Sequence, residues 1–461
     1  MKPNHWPWVI STNFAEGLPY AIITTLSVVM LADMGLSNAE VAAWTSLLAM
    51  PWSIKALWSP WIGAGNLKRW MWTMQVVLAC CFVGVALGLL SAPVEASTDG
   101  SWLAWVLGSF AVGAFASASY DVACDGYYMK RLDQEGQSFF VGIRSTAYRL
   151  SMIFASGVLT TLVGMLTQSL MEKGGIKAAE GVADSPLYLR SAWVFVMMVA
   201  AMVMLLFGLG HWRWLKDEKE KGKKNSEKWK GKAGRWNVES SKRNVNLATD
   251  ARSEVQGGYV DALRTFVQKP GLWFILLFLL FYRLGEALLS KMSILFLKAP
   301  VADGGLGLDN AEYGMIYGTI GVGMLTVGGI LGGILLSRYG LKRCVLPMAL
   351  ALNVPDLLYV WMSIAQPASR WLIGTLVGME QFGYGIGFAA YMVYMLQSAE
   401  GKYSTSHYAI ITALMAIGMM VPSALSGFMQ EHLGYTAFFW TVVACTLPGM
   451  ALSYLLYKKS K

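Results

Sequence analysis

Charge is scarce in this chain. Of 461 residues, 14% are Asp, Glu, Lys or Arg and 55% are apolar, with a mean hydropathy of +0.46. A soluble domain carries about 25% charged residues, so an ordinary soluble globular protein is excluded. Reactive side chains are scarce as well. The five cysteines, Cys80, Cys81, Cys124, Cys344 and Cys445, form no CxxC and lie mostly within or beside apolar runs. They read as buried thiols rather than a disulfide or metal set. The four histidines, His5, His211, His407 and His432, are scattered and form no HExxH. No P-loop, nucleophile motif or GxGxxG following a strand is present. The expectation is a chain that is not an enzyme and holds neither metal nor organic cofactor.

What is present is apolar length. A helix needs about 20 mostly apolar residues to cross a bilayer. Twelve runs meet that need, at roughly 8–32, 39–62, 70–91, 101–129, 138–166, 190–211, 271–297, 310–337, 343–364, 370–397, 406–430 and 435–457. The first is too long, and lacks the small-residue cleavage site, for a removed signal peptide. The implied fold class is an all-α integral membrane protein: twelve transmembrane helices in two pseudo-symmetric six-helix bundles.

The two-bundle reading rests on an internal repeat. Gly35-Leu-Ser-Asn-Ala-Glu40 returns as Gly307-Leu-Asp-Asn-Ala-Glu312, and Leu67-Lys-Arg69 returns as Leu341-Lys-Arg343. The offsets are 272 and 274 positions, in the same order, and each pair encloses an apolar segment. Ser37 with Glu40, and Asp309 with Glu312, fit capping boxes. Good caps can arise by convergence, but capping does not explain the shared Gly-Leu or the matched basic turn one helix later. Repeated membrane-length halves point to a transporter. The domains follow as 1–211, a linker at 212–265, and 266–461.

The linker holds 14 Lys/Arg against 8 Asp/Glu. It reads as a solvated connector, or alternatively as a segment docking on anionic lipid through Trp229 and Trp236. With the N-terminus inside, the inner segments hold 26 Lys/Arg and the outer ones 5, which places both termini in the cytoplasm. Membrane lipid is therefore an expected partner and nucleic acid is not. A monomer is expected.

Charges inside apolar runs cost several kcal/mol and usually have a partner or a role. Glu16, Lys55, Asp121, Asp125, Arg144 and Arg149 all fall in the inner half of the first bundle. Asp121 and Asp125 share a helix face at i,i+4. They match Arg149 and Arg144 in depth, so Asp125–Arg144 and Asp121–Arg149 are the expected pairs. Neighbouring carboxylates in low dielectric resist simultaneous ionisation, which suits a proton-coupling set of Asp121, Asp125 and Glu16. A permanent structural or gating network is the equal alternative. In the second half Arg283, Glu286, Lys291, Asp356, Glu380 and Gln381 converge on a polar centre. Lys55, Tyr120, Arg144, Arg149, Arg283, Glu286, Glu380 and Gln381 are the candidates for substrate contact. Trp58 or Tyr120 offers a ring for a sugar. Gly314-x3-Gly318, Gly328-x3-Gly332 and Gly329-x3-Gly333 allow close helix approach.

Gly332-Gly-Ile-Leu-Leu-Ser-Arg338-Tyr-Gly340-Leu-Lys342-Arg343 resembles the loop signature of the major facilitator superfamily. Arg338, Gly340, Lys342 and Arg343 would be its gating loop. The first copy, around Gly63 to Arg69, lacks the usual acid. Within that superfamily the chain resembles the AmpG-like muropeptide permeases and the related peptide/acetyl-coenzyme A/drug transporters. The matching stretches are Glu16-Gly17-Leu18-Pro19, Lys55-Ala-Leu-Trp58-Ser-Pro60, Tyr120-Asp121-Val-Ala-Cys-Asp125-Gly126-Tyr127, and Arg144 through Tyr148-Arg149-Leu150 to Gly157. Gly434-Tyr-Thr-Ala-Phe438-Phe439 also fits. The resemblance implies proton-driven import of anhydro-muropeptides or GlcNAc-anhydroMurNAc across a bacterial inner membrane. Competing readings are a permease for another anionic solute (a coenzyme A thioester, a siderophore or a peptide), a membrane sensor, and a membrane-embedded transferase.

Overall fold

Side-chain volume and backbone hydrogen bonding in a bilayer leave helices as the economical solution for apolar runs of this length. The computed structural model describes residues 5–91, 100–132, 134–173, 186–216, 259–400 and 403–458, and their regular structure is helical throughout. Most of the proposed 212–265 linker lies outside the described residues. Its end does not: Tyr259–Val267 is a short helix leading into the second half.

Among the described residues nine helices are long and apolar enough to cross a membrane, beginning with Trp6–Asp33 and ending with Ser406–Lys458. The last is interrupted at Gly434, whose φ of 74° is not helical. Arg370–Ala399 is a further unbroken helix of 30 residues. The 38–64 stretch is broken into Asn38–Leu48, Met50–Ile54, a 3₁₀ turn at Lys55–Leu57 and Ser59–Ala64. Proline explains the interruptions, because Pro51 and Pro60 each stand at the start of a new helical piece, where a missing N–H costs least.

Both copies of the repeat fold alike. Ser37 and Asp309 cap their helices, and Glu40 and Glu312 bond back to the cap residues' N–H groups. The shared glycine is accounted for by backbone geometry: Gly35 has φ 85° and Gly307 φ 62°, a region that penalises residues with a Cβ. The shared leucine is accounted for by packing. Leu36 and Leu308 stand just before the caps, and Val41 and Tyr313 four positions beyond them, all in one apolar cluster. This is the arrangement of a hydrophobic staple.

The core shows how the halves meet. One large cluster takes residues from both, from Leu18 to Met204 and from Leu288 to Val442, and it occupies the capped end of the molecule. At the opposite end, which carries Leu67–Arg69 and Leu341–Arg343, the clusters stay separate. One is built on Leu67, Met71 and Tyr127, the other on Leu341, Val345 and Tyr394. Three π-helical turns, Ile22–Leu26, Phe154–Leu159 and Gly314–Gly321, punctuate the spans. The last two pack across the junction of the halves, where a Cβ on Gly318 would stand 2.1 Å from the Ser156 carbonyl oxygen.

Candidate functional site

In the first half the site is built from four elements. Asn13 and Glu16 come from the first span, Lys55 from the 3₁₀ turn, Asp121 and Asp125 from Ser101–Arg131, and Arg144 from Gln134–Ile153. Arg144 organises it. Its Nε donates to Asn13 Oδ1 at 2.5 Å, its Nη2 pairs with Asp125, and the same Nη2 lies 3.4 Å from Glu16 Oε2. The guanidinium sits 5.0 Å above the Tyr128 ring. Lys55 Nζ pairs with Asp121. Carboxylate oxygens of Glu16, Asp121 and Asp125 come within 4.8 Å of one another, a spacing that would admit a cation. The cationic places are taken by Lys55 and Arg144, so the donor set argues for ion pairs rather than a metal.

The expected Asp125–Arg144 pair is thus present, and the expected Asp121–Arg149 pair is not. Arg144 and Arg149 are five residues apart, about 140° around a helix, so they face different neighbours. Arg149 reaches into the second half: its Nη1 is 3.4 Å from Thr326 Oγ1, and its Nη2 lies 3.1 Å from where Gly329 would carry a Cβ. The proline-broken second span supplies Lys55 to Asp121 instead. Matching depth alone could not show which face each arginine presents.

These side chains are not sealed. Asp125 is 42% exposed and Lys55 35%, although both lie well inside apolar runs. They therefore line a cleft that opens toward the basic end, where the two cores are separate. Tyr120 is not on that cleft. It is fully buried and its hydroxyl donates to the Thr12 carbonyl at 3.0 Å. Trp58 is half-buried, donates to Ser119 Oγ at 3.0 Å and rests against Phe115. The aromatic faces near the centre are Tyr20, Trp52 and Tyr148, with Tyr20 5.0 Å from Trp52 and 6.2 Å from Tyr148. Sequence reasoning gave none of them a contact role, although Tyr148 lies in the stretch that resembles the permeases.

The second-half residues are more enclosed. Arg283 caps Leu284–Lys298 at a break in its span, pairs with the Tyr384 hydroxyl and lies 4.7 Å over the Phe388 ring. Glu286, Glu380 and Gln381 are buried. Glu380 accepts from Tyr359 OH at 3.3 Å and from Gln381 Nε2 at 3.0 Å. Lys291 donates to the Thr24 carbonyl of the first half. Arg338, Gly340, Lys342 and Arg343 are exposed at the basic end, and Gly340 has φ 73° where the chain turns between helices.

At the capped end a second polar set joins the halves, and sequence reasoning missed it too. Asp33 pairs with Lys298 and accepts from Asn310 Nδ2 at 2.7 Å and Trp193 Nε1 at 2.9 Å. Asn38 donates to Gln430 Oε1 at 2.6 Å and to Tyr435 OH at 3.0 Å, and Glu431 accepts from the Ala39 N–H at 2.8 Å. Glycine allows the close approach: a Cβ on Gly427 would be 2.2 Å from the Asn38 carbonyl. Hydrogen bonds and glycine contacts between the halves therefore run from the centre to the capped end among the described residues.

No family model matches the chain. It is 24% identical over 454 residues to the anhydromuropeptide permease of Escherichia coli K12, an alignment covering 95% of this chain and 77% of that protein. It is 22% identical to a putative AmpG 4 transporter of Rickettsia conorii, covering 97% of this chain and 95% of that one. Its fold matches the crystal structure of a bacterial homolog of the human lysosomal transporter Spinster, in an inward-facing, unoccupied conformation. The TM-score is 0.66 at 14% identity, over 99% of this chain and 98% of that one. The D-xylose–proton symporter matches with a TM-score of 0.63 at 12% identity, over 98% and 96% of the two chains.

Proposed function

We propose that this chain is a membrane transporter, a reading supported by its similarity to AmpG-like permeases over nearly its whole length and by its helical fold. The proteins it resembles are permeases and transporters, not enzymes. It is a twelve-span secondary transporter that imports anhydro-muropeptides or GlcNAc-anhydroMurNAc with protons, by alternating access. Two bundles, 1–211 and 266–461, rock about the central cleft. The basic end faces the cytoplasm of a bacterial inner-membrane protein, with both termini on that side. The arrangement described, closed at the capped end, is then the inward-facing one.

The observation that carries this reading is the partly exposed cluster of Glu16, Asp121 and Asp125 against Lys55 and Arg144. Three acids face two bases, so the charges balance when one proton is bound, its loss leaves two carboxylates sharing Arg144, and a pair can break when the proton returns. Lys55, Arg149 and Arg283 bias the cleft toward an anionic solute, and Tyr20, Trp52 and Tyr148 offer ring faces to a sugar. The same bias serves another anionic solute, such as a coenzyme A thioester, so the choice of cargo rests on the similarity to permeases. Proteoliposome uptake of radiolabelled GlcNAc-anhydroMurNAc, with and without an imposed pH gradient, tests the proposal. Accumulation only with the gradient supports it. Uptake of a coenzyme A thioester but not of the disaccharide would replace the cargo.

A further inference from the structure

The acids of the second half are arranged differently from those of the first. Glu286, Asp356 and Glu380 come from three helices, Leu284–Lys298, Asp356–Ala365 and Arg370–Ala399, and are 5%, 1% and 1% exposed. Gly285, next to Glu286 in the chain, lies against Asp356, and Tyr359, one turn beyond Asp356, donates to Glu380 at 3.3 Å. Among the described residues neither Asp356 carboxylate oxygen has a hydrogen-bond partner, and Glu286 Oε1 has none either. A Cβ on Gly285 would stand 2.5 Å from Thr446 Cγ2 and 3.2 Å from Asp356 Oδ2, so the backbone next to Glu286 packs directly against the Asp356 carboxylate.

The neighbouring groups do not neutralise these three. Among the described residues Arg283 is the one cation beside them; its Nη2 goes to Tyr384, its face to Phe388, and its Nε has no partner there. Lys291 points away to Thr24. From Asp356–Ala365 comes Tyr359, which donates to Glu380; from the π-helical turn comes Tyr317; from Arg370–Ala399 come Tyr384 and Gln381; Tyr20 faces Arg283 from the first half; and the last helix presents Thr446 beside Gly285. None of these is a second cation. Asp356 opens its helix, where the backbone favours an anion, but without a donor on either oxygen that bias does not meet the cost of a buried unpaired charge. A carboxyl that keeps its proton avoids that cost.

We infer that Glu286, Asp356 and Glu380 form a second, occluded proton-binding site, which receives and returns protons as the cleft changes face. This deepens the proton-coupled reading and rests on it for its role in transport. It moves Glu286 and Glu380 from substrate contact to proton carriage. The first-half cluster then exchanges protons with the open cleft, and the second-half acids keep theirs away from water.

Two measurements on the full chain in lipid vesicles test it. The first is infrared difference spectroscopy between acidic and alkaline buffer, which reads the carbonyl stretch of protonated carboxyls. Asp356→Asn should remove part of that band and Glu286→Gln should shift the remainder; an unchanged band in both variants overturns the site. The second compares exchange of radiolabelled GlcNAc-anhydroMurNAc across vesicles at equal pH with its accumulation down a pH gradient. Asp356→Asn should keep exchange and lose accumulation. Full accumulation overturns the coupling role, as does loss of exchange together with accumulation, which would place Asp356 in substrate binding. If the unaltered chain moves no disaccharide yet shows the Asp356-dependent band, the site stands and the transport proposal falls.

Discussion

The two halves share a scaffold and differ in how they treat buried charge. Each opens a helix with a left-handed glycine, a leucine and a reciprocal cap, at Gly35–Glu40 and Gly307–Glu312. In the first half each central acid has a base in reach, through Arg144 and Lys55. In the second, three acids accompany one arginine that is turned toward aromatic rings. The two copies preserve what holds helices in place and diverge in their central charged residues. A paired, partly wet cluster suits exchange with solvent, and an unpaired, dry one suits retention.

The comparison can be broken first at the junction. Gly318→Leu would place side-chain atoms where the Ser156 carbonyl stands, 2.1 Å from the Cβ position. Overpacking costs about 1–3 kcal/mol even in tolerant cores, and this contact is with backbone. The expected outcome is loss of uptake with the capped end held open, read as labelling of a cysteine placed at Asn38 by an impermeant reagent. Next is Arg144→Ala, which strands Glu16 and Asp125. Breaking a buried pair costs about 3–5 kcal/mol. Because Asp125 is 42% exposed, the loss should fall at or below the low end of that range. Thermal unfolding in detergent reads it, and Arg144→Lys should recover less than half, since a point charge cannot serve Asn13, Glu16 and Asp125 together.

A smaller effect is expected at the capped end. Lys298→Met leaves Asp33 with Asn310 and Trp193, and Asp33→Asn leaves the ammonium with the Asn310 Oδ1 acceptor and no counter-charge. Each should weaken closure, and the double variant should restore part of it, a coupling of about 0.5–3 kcal/mol in a double-mutant cycle. Smallest are the caps. Ser37→Ala and Asp309→Ala should each cost about 1 kcal/mol, by equal amounts if the repeat is structural alone. A much larger effect of one on transport than on unfolding would show that its copy has acquired a role in gating.

Much of this was legible in the sequence, for physical reasons that can be stated. Apolar length marked the spans because a bilayer sets a fixed distance. The capping boxes were legible because their partners are three residues apart. The Asp125–Arg144 pair followed from depth in adjacent antiparallel helices. Asp121 went astray because depth carries no information about helix rotation, and because Pro51 and Pro60 break the second span and turn Lys55 inward. Tyr120 was misjudged for a related reason: its neighbour Asp121 faces the cleft, and adjacent residues on a helix point about 100° apart. The Asp33–Lys298 contact joins residues 265 apart whose helices belong to different halves of the chain, and no local pattern encodes that meeting.

The central claim is that protons move with the cargo through the first-half cluster. It is tested most directly by a pH-sensitive dye inside proteoliposomes while GlcNAc-anhydroMurNAc is added outside, with no gradient imposed. Entry of the disaccharide should acidify the lumen in the unaltered chain and leave it unchanged in Asp125→Asn, with that variant still folded by thermal unfolding. Disaccharide entry without acidification in the unaltered chain, or equal acidification in Asp125→Asn, would contradict it.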